Sequence, residues 1–171
     1  LFLSSGRAQH WLKQEIDSSD CSFRVSLAVN RAGSPCVAYT WRRKLSINHY
    51  IYAIRYAERR RMDWHIETVD SFVDRWYYDP VLCLDTFDRP HVVFAVSDTD
   101  YYRVVYATRT DSCWLLEEVD SVVNTPLRPL PDLALSAAGV LHLAYVARDT
   151  PSERLHLRYA VREADSWRIQ V

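Results

Sequence analysis

The chain has 171 residues, a net charge of −1 and 49% hydrophobic residues, a composition suited to a packed fold. That balance supplies no field to draw nucleic acid or an anionic membrane, and no apolar run approaches the roughly 18 residues of a membrane helix. The four cysteines include no Cys-x-x-Cys pair, so neither a zinc site nor a disulfide framework is encoded and reduced thiols are the default, with a Cys21–Cys36 bridge as the alternative.

Along the chain, short apolar segments recur in a fixed order. Leu3-Ser4 is followed by Trp11 to Asp17, the first of four segments that open on tryptophan. A cycle then begins: Leu27-Ala28-Val29-Asn30, a turn, Pro35 to Tyr39, a connection, Ile51 to Ala57, and Trp64 to Asp70. The second cycle is Leu82 to Asp85, Pro90 to Phe94, Tyr101 to Ala107 and Trp114 to Asp120. The third is Leu133 to Ser136, Leu141 to Tyr145, Arg154 to Ala160 and Trp167 to Val171. Tyr56-Ala57, Tyr106-Ala107 and Tyr159-Ala160 each precede a tryptophan, and Trp11, Trp64, Trp114 and Trp167 stand 53, 50 and 53 residues apart. A period of that length marks a repeat architecture.

The segments are five to seven residues long and rich in Val, Leu, Tyr and Trp, as strands are. Gly33, Asp88 and Gly139 fall between the first two segments of each cycle, where a tight hairpin needs tolerance of positive φ. No helix-period stripe longer than ten residues is present, so the prediction is all-β. Four antiparallel strands per repeat, serially repeated, predict blades of a β-propeller. Residues 1–171 form one propeller region: a half blade 1–18, then blades 22–70, 79–120 and 131–171, with longer connections such as Ser71 to Pro80 linking blades. About three and a half blades cannot close a ring, so the expectation is a fragment of a longer chain or a homo-oligomeric ring completed by other copies.

Residues repeated once per blade read as scaffold. Glu67 and Glu117, and Asp17, Asp70 and Asp120, recur in register, and each Asp suits a cap on the turn into the next blade. A glycoside hydrolase needs two carboxylates in one site, not one per blade. His91 and His142 recur after the turn, read as hydrogen-bonded to a nearby backbone or blade-edge group. Equivalent positions on neighbouring blades cannot share an ion, so no metal and no cofactor are predicted.

Deviations from the repeat are where a site belongs. They are the stretch Trp41 to His49, read as an irregular loop, the linker Phe72 to Asp79, and Asp98 to Tyr101. Of the 21 basic residues only Lys13 and Lys44 are lysine, and Arg42-Arg43 adjoin Trp41. Trp41, Arg42, Arg43, Arg75, Trp76, Tyr77, Tyr78, Asp98 and Asp100 are expected to gather on one rim as a ligand surface, aromatics for stacking on a sugar ring and arginines for a carboxylate or phosphate.

The Trp-x-x-Glu-x-Val-Asp-Ser element (Trp114 to Ser121), Leu82 to Asp85, Pro90 to Phe94 and Leu157 to Ala160 resemble the repeat of bacterial propellers described as sialidase-like or fucose-lectin-like. That resemblance implies a propeller hosting either a glycosidase or a binder. The Ser-x-Asp-x-Gly-x-x-Trp turn of sialidases is absent, Asp165-Ser166-Trp167 being the nearest approach, and no catalytic residue can be matched. The function expected is therefore a non-catalytic binding or scaffold module, for carbohydrate or a protein partner. A sialidase-like hydrolase fragment and a purely structural propeller are the alternatives.

Overall fold

The structure, a computed structural model, describes residues 13–18, 21–123, 128–148 and 154–170. Within these residues the chain is all-β and has no helix. Three four-stranded antiparallel sheets follow one another in sequence. The first holds β1 (Cys21–Val29), β2 (Pro35–Ser46), β3 (His49–Arg60) and β4 (Asp63–Val73). The second holds β5 (Tyr77–Leu84), β6 (Pro90–Ser97), β7 (Tyr101–Arg109) and β8 (Trp114–Val123). The third holds β9 (Asp132–Leu135), β10 (Leu141–Arg148), β11 (Leu155–Glu163) and β12 (Ser166–Gln170). Neighbours in sequence are neighbours in each sheet, and no sheet closes on itself. The first strands β1, β5 and β9 lie side by side, while β4, β8 and β12 form the opposite edges. Of the N-terminal half blade, residues 1–12 lie outside the described residues, and 13–18 contain no strand.

Each β1–β2-type turn is built the same way. Gly33, Asp88 and Gly139 have φ of +76°, +62° and +79°. The residue three positions earlier braces the turn: Asn30 Oδ1 accepts from the Ser34 amide, Asp85 Oδ1 from Arg89, and Ser136 Oγ from Val140. Short polar side chains that bond the local backbone favour such turns.

Two corrections concern strand length. Trp41 to His49 is not an irregular loop: β2 and β3 run on as a paired ribbon, with Trp41 opposite Ala53 and Lys44 opposite Tyr50, and turn at Asn48 (φ +63°). Charged side chains are no obstacle to pairing where a ribbon meets solvent on both faces. Likewise the linker shrinks to residues 74–76, because Ser71 to Val73 extend β4 and Tyr77 to Pro80 begin β5.

Burial explains the sequence pattern. The second sheet is covered on both faces, so β6 is almost continuously apolar, with Val92, Phe94 and Val96 towards the first sheet and Val93 towards the third. In β10 only alternate residues are buried: Leu141, Leu143, Tyr145 and Ala147.

The repeat signature is an inter-sheet clamp. Tyr56 meets the next sheet's Trp114 edge-on with centroids 5.5 Å apart, and Tyr106 meets Trp167 at 5.4 Å. Glu67 accepts from Arg109 at 2.7 Å and from Trp114 Nε1 at 3.1 Å, while Glu117 pairs with Arg162. The recurrent Asp does not simply cap its own turn. Asp17 accepts from Tyr39 (2.8 Å) and Arg55 (2.6 Å), and Asp120 from Tyr145 (2.5 Å) and Arg158 (2.7 Å). At the middle junction Phe94 and Val105 stand where the Tyr and Arg would be, and Tyr77 bonds Asp70 instead, at 2.9 Å. The recurrent histidines bond the recurrent tyrosines: His91 Nδ1 lies 2.6 Å from the Tyr106 hydroxyl and His142 Nδ1 2.7 Å from that of Tyr159. In the first sheet Cys36 replaces the histidine and is a free, buried thiol opposite Ala28. The Cys21–Cys36 bridge is thus not formed, Cys21 pairing in register with Trp41.

Candidate functional site

At the end of the sheets where the linkers and the second-to-third-strand turns meet, a cleft of about 460 Å³ opens between the first and second sheets. It is lined by Arg24, Thr40, Trp76, Tyr77, Tyr78 and Arg128. Two tethers fix the linker that carries Trp76. The Asp74 amide donates to Tyr50 O (2.8 Å) while Asp74 Oδ1 accepts from the Tyr50 amide (2.9 Å). The Trp76 amide donates to Ser97 Oγ (3.0 Å), and the Ser97 amide to Trp76 O (2.9 Å). The Asp74 carboxyl sits below the usual carboxylate range because the Tyr50 amide and the His49 ring bond its anion.

Trp76 is 40% exposed. Its ring lies 4.6 Å from Tyr52 and is nearly parallel to Tyr78, with centroids 6.4 Å apart and planes at 10°. The row continues to Tyr50 beyond Tyr52 (6.0 Å) and to Tyr102 beyond Tyr78 (5.9 Å). Burial raises the phenol pKa of Tyr52, Tyr77 and Tyr78, so all three are neutral hydroxyls at physiological pH.

Arginines flank this row. Arg42 lies over Tyr50 (5.6 Å to the centroid) and Arg128 over Tyr78 (4.9 Å). Behind the cleft sits Asp79, at a strand irregularity with φ +48° and with only 9% of its side chain exposed. Its oxygens lie 3.1 Å from Arg24 Nε and 3.8 Å from Arg128, yet neither accepts a well-formed hydrogen bond. Asp98 is shared between Arg75 (3.5 Å) and Arg103 (3.9 Å).

Of the nine residues expected on the rim, Trp76, Tyr77 and Tyr78 line the cleft, and Arg42, Arg75 and Asp98 stand beside it. Tyr77 is largely buried, its hydroxyl spent on Asp70. Asp100 is exposed in the β6–β7 turn. Trp41 and Arg43 do not join the group. Trp41 is 7% exposed and packs with Val37, Tyr39 and Ala53 on the opposite face of the first sheet, under the Arg55 guanidinium at 3.8 Å. Arg43 lies on that face too, 6.0 Å from the Trp41 ring. Strand alternation is the reason: once β2 extends through this stretch, Trp41 and Arg43 must face away from Thr40 and Arg42.

Arg24, Asp79 and Arg128 were missed. Arg24, Asp79 and Leu130 stand three residues before Leu27, Leu82 and Leu133, so opposite charges occupy one register position in adjacent repeats. That pairing was the available signal. Two grooves of about 450 and 440 Å³ elsewhere are lined largely by clamp residues, among them Glu67, Arg109 and Trp114 in one and Tyr106 and Arg162 in the other. Among the described residues, no group of His, Cys, Asp or Glu is placed to hold a metal ion.

No family model matches the sequence, and no curated protein matches it. Among solved structures, the chain is similar to a fucose lectin from Kordia zhangzhouensis in complex with methyl-fucoside. The alignment covers 86% of this chain and 98% of the lectin chain, at 11% identity and a TM-score of 0.48.

Proposed function

We propose that the chain is a non-catalytic carbohydrate-binding module whose sugar site is the Trp76–Tyr78 cleft. The observation that carries this reading is the pairing of an exposed indole and a near-parallel, half-buried phenol with flanking guanidiniums in a cleft of about 460 Å³. Sugar rings present apolar C–H faces to aromatic planes and hydroxyls to polar groups at the edge, and cavities of this size hold one or two such rings. The nearby carboxylates Asp79 and Asp98 each lie between two arginines. Trp76→Ala removes the platform without opening the core. The expected result is a loss of about 2 kcal/mol in affinity, roughly thirtyfold, for the best ligand of a glycan array, with the melting temperature unchanged. Unaltered affinity would move the site elsewhere. Turnover of an aryl glycoside that a single Asp or Glu change abolishes would assign the protein to the hydrolases.

The three sheets are proposed to be consecutive blades of a β-propeller, with boundaries near 22–70, 79–120 and 131–171 and the first strands at the axis. Both ends of the row then present faces that the repeat elsewhere covers. Leu27 is 64% exposed, against 6% and 7% for its counterparts Leu82 and Leu133. Leu157 is 73% exposed, while Ile54 and Val104 are fully buried. Apolar faces of this kind drive association, so the ring is completed by further copies or by more of the same polypeptide. Sedimentation of the 171-residue chain should give concentration-dependent oligomers, and Leu157→Lys should shift them towards monomer. A wild-type chain that stays monomeric and binds no apolar dye would count against this arrangement.

A further inference from the structure

The cleft's chemistry is one-sided. A neutral sugar hydroxyl both donates and accepts, so sites for neutral sugars offer acceptors as well as donors. Here the lining offers the guanidiniums of Arg24 and Arg128 and the hydroxyls of Thr40 and Tyr78, that of Tyr77 being bonded to Asp70. The one carboxylate at its back, Asp79, is desolvated between those same two arginines. Across the wider rim Arg42, Arg75 and Arg103 are balanced by Asp74, Asp98, Glu118 and the exposed Asp100, so the excess of guanidinium lies in the cleft itself. A group that only accepts, and carries negative charge, fits such a wall better than a hydroxyl. The aromatic row is also longer than one sugar. It runs from Tyr50 on the first sheet through Trp76 to Tyr78 on the second, with Arg42 over Tyr50 and Arg128 over Tyr78.

We infer that the ligand is an internal stretch of an acidic polysaccharide, uronate-bearing or sulfated, lying along Tyr50, Trp76 and Tyr78. Arg24 and Arg128 grip one acid group and Arg42 another, while Asp79 positions the first two. The inference rests on the carbohydrate reading of the cleft and names the class of sugar it takes. Trp76 supplies stacking that is indifferent to charge; the arginines supply the choice between acidic and neutral chains.

The test is calorimetric titration of the 171-residue chain with oligogalacturonates of one to six units, the same oligomers methyl-esterified, and sulfated carrageenan oligomers of matching length. The expected result is affinity that rises with length to at least three units, is at least tenfold tighter for an acidic series than for the esters, and falls with added salt. Which acidic series wins identifies carboxylate or sulfate as the group gripped. Removing both arginines alone would strand the buried Asp79 charge, so the variant is Arg24→Gln, Arg128→Gln and Asp79→Asn together. It should erase the preference for acid while leaving ester binding intact, whereas Trp76→Ala should weaken both. Esters that bind as tightly as the acids, or a monosaccharide that binds as tightly as the hexamer, would overturn the inference and leave the carbohydrate site standing. Failure of every oligomer, charged and neutral, to bind would overturn both.

Discussion

Asp120→Ala is expected to destabilise the fold by about 3–5 kcal/mol, the range for stripping one partner from a largely buried ion pair, and Asp70→Ala by only about 1–2 kcal/mol, the worth of hydrogen bonds that strand no counter-charge. The two residues hold the same repeat position. Asp120 Oδ2 accepts from both the Tyr145 hydroxyl and the Arg158 guanidinium, and the Asp120 and Arg158 side chains are 16% and 18% exposed. Deleting the carboxylate leaves that guanidinium without its counter-charge at a sheet junction. At the middle junction Val105 replaces the arginine and Phe94 the tyrosine, so Asp70 accepts from the Tyr77 hydroxyl and from the amide of its own neighbour Ser71 but meets no guanidinium there. Urea denaturation of both variants, read by far-UV circular dichroism, separates the cases. Equal losses would mean that the Arg158 pair contributes nothing beyond its hydrogen bond. Asp120→Asn, which keeps the acceptor oxygen and drops the charge, should fall between wild type and Asp120→Ala.

That contrast shows what the sequence could disclose. Recurrence at a fixed period exposed the strands, the turns and the positions of Tyr56, Trp64 and Asp70, because each sheet must meet its neighbour in the same way and the contact residues are therefore copied. The purpose of the copies was not visible. The recurrent spacing between Tyr106 and Trp114 does not mark a contact between those two residues: Tyr106 packs on Trp167 and Trp114 on Tyr56, one sheet away on either side.

The site was legible where it departed from the repeat and illegible where it depended on strand phase. Trp76 and Tyr78 stood out as unpaired aromatics in a linker and do line the cleft. Trp41 stood out on the same grounds and lies on the far face, because reading its stretch as a loop discarded the alternation that decides which way it points. Arg128 lies in a segment with no distinguishing neighbours, Arg24 carried only its register match to Asp79 one repeat on, and only the folded chain brings both arginines to that carboxylate.

Alkaline pH is expected to unfold the protein cooperatively, because its clamps are built from buried phenols. Burial is the main cause that raises the pKa of Tyr39, Tyr56, Tyr77 and Tyr145 far above the usual value near 10; their hydrogen bonds to Asp17, Cys36, Asp70 and Asp120 add to it. The sign follows directly. Below pH 10 folded and unfolded chains both keep these protons, and the stability is fully present. Above it the unfolded chain loses them while the folded chain does not, so stability falls by roughly 1.4 kcal/mol per phenol per pH unit. Four such groups would remove the whole of a typical 5–15 kcal/mol stability within about one to three pH units. Circular dichroism and phenolate absorbance at about 295 nm should therefore change together in one steep step above pH ~10. Tyr56→Phe, which removes one titrating group but keeps the ring against Trp114, should make that step shallower and move it upward. Gradual phenolate formation centred near pH 10 with an unchanged dichroism spectrum would show that these hydroxyls are not held neutral by the sheet junctions.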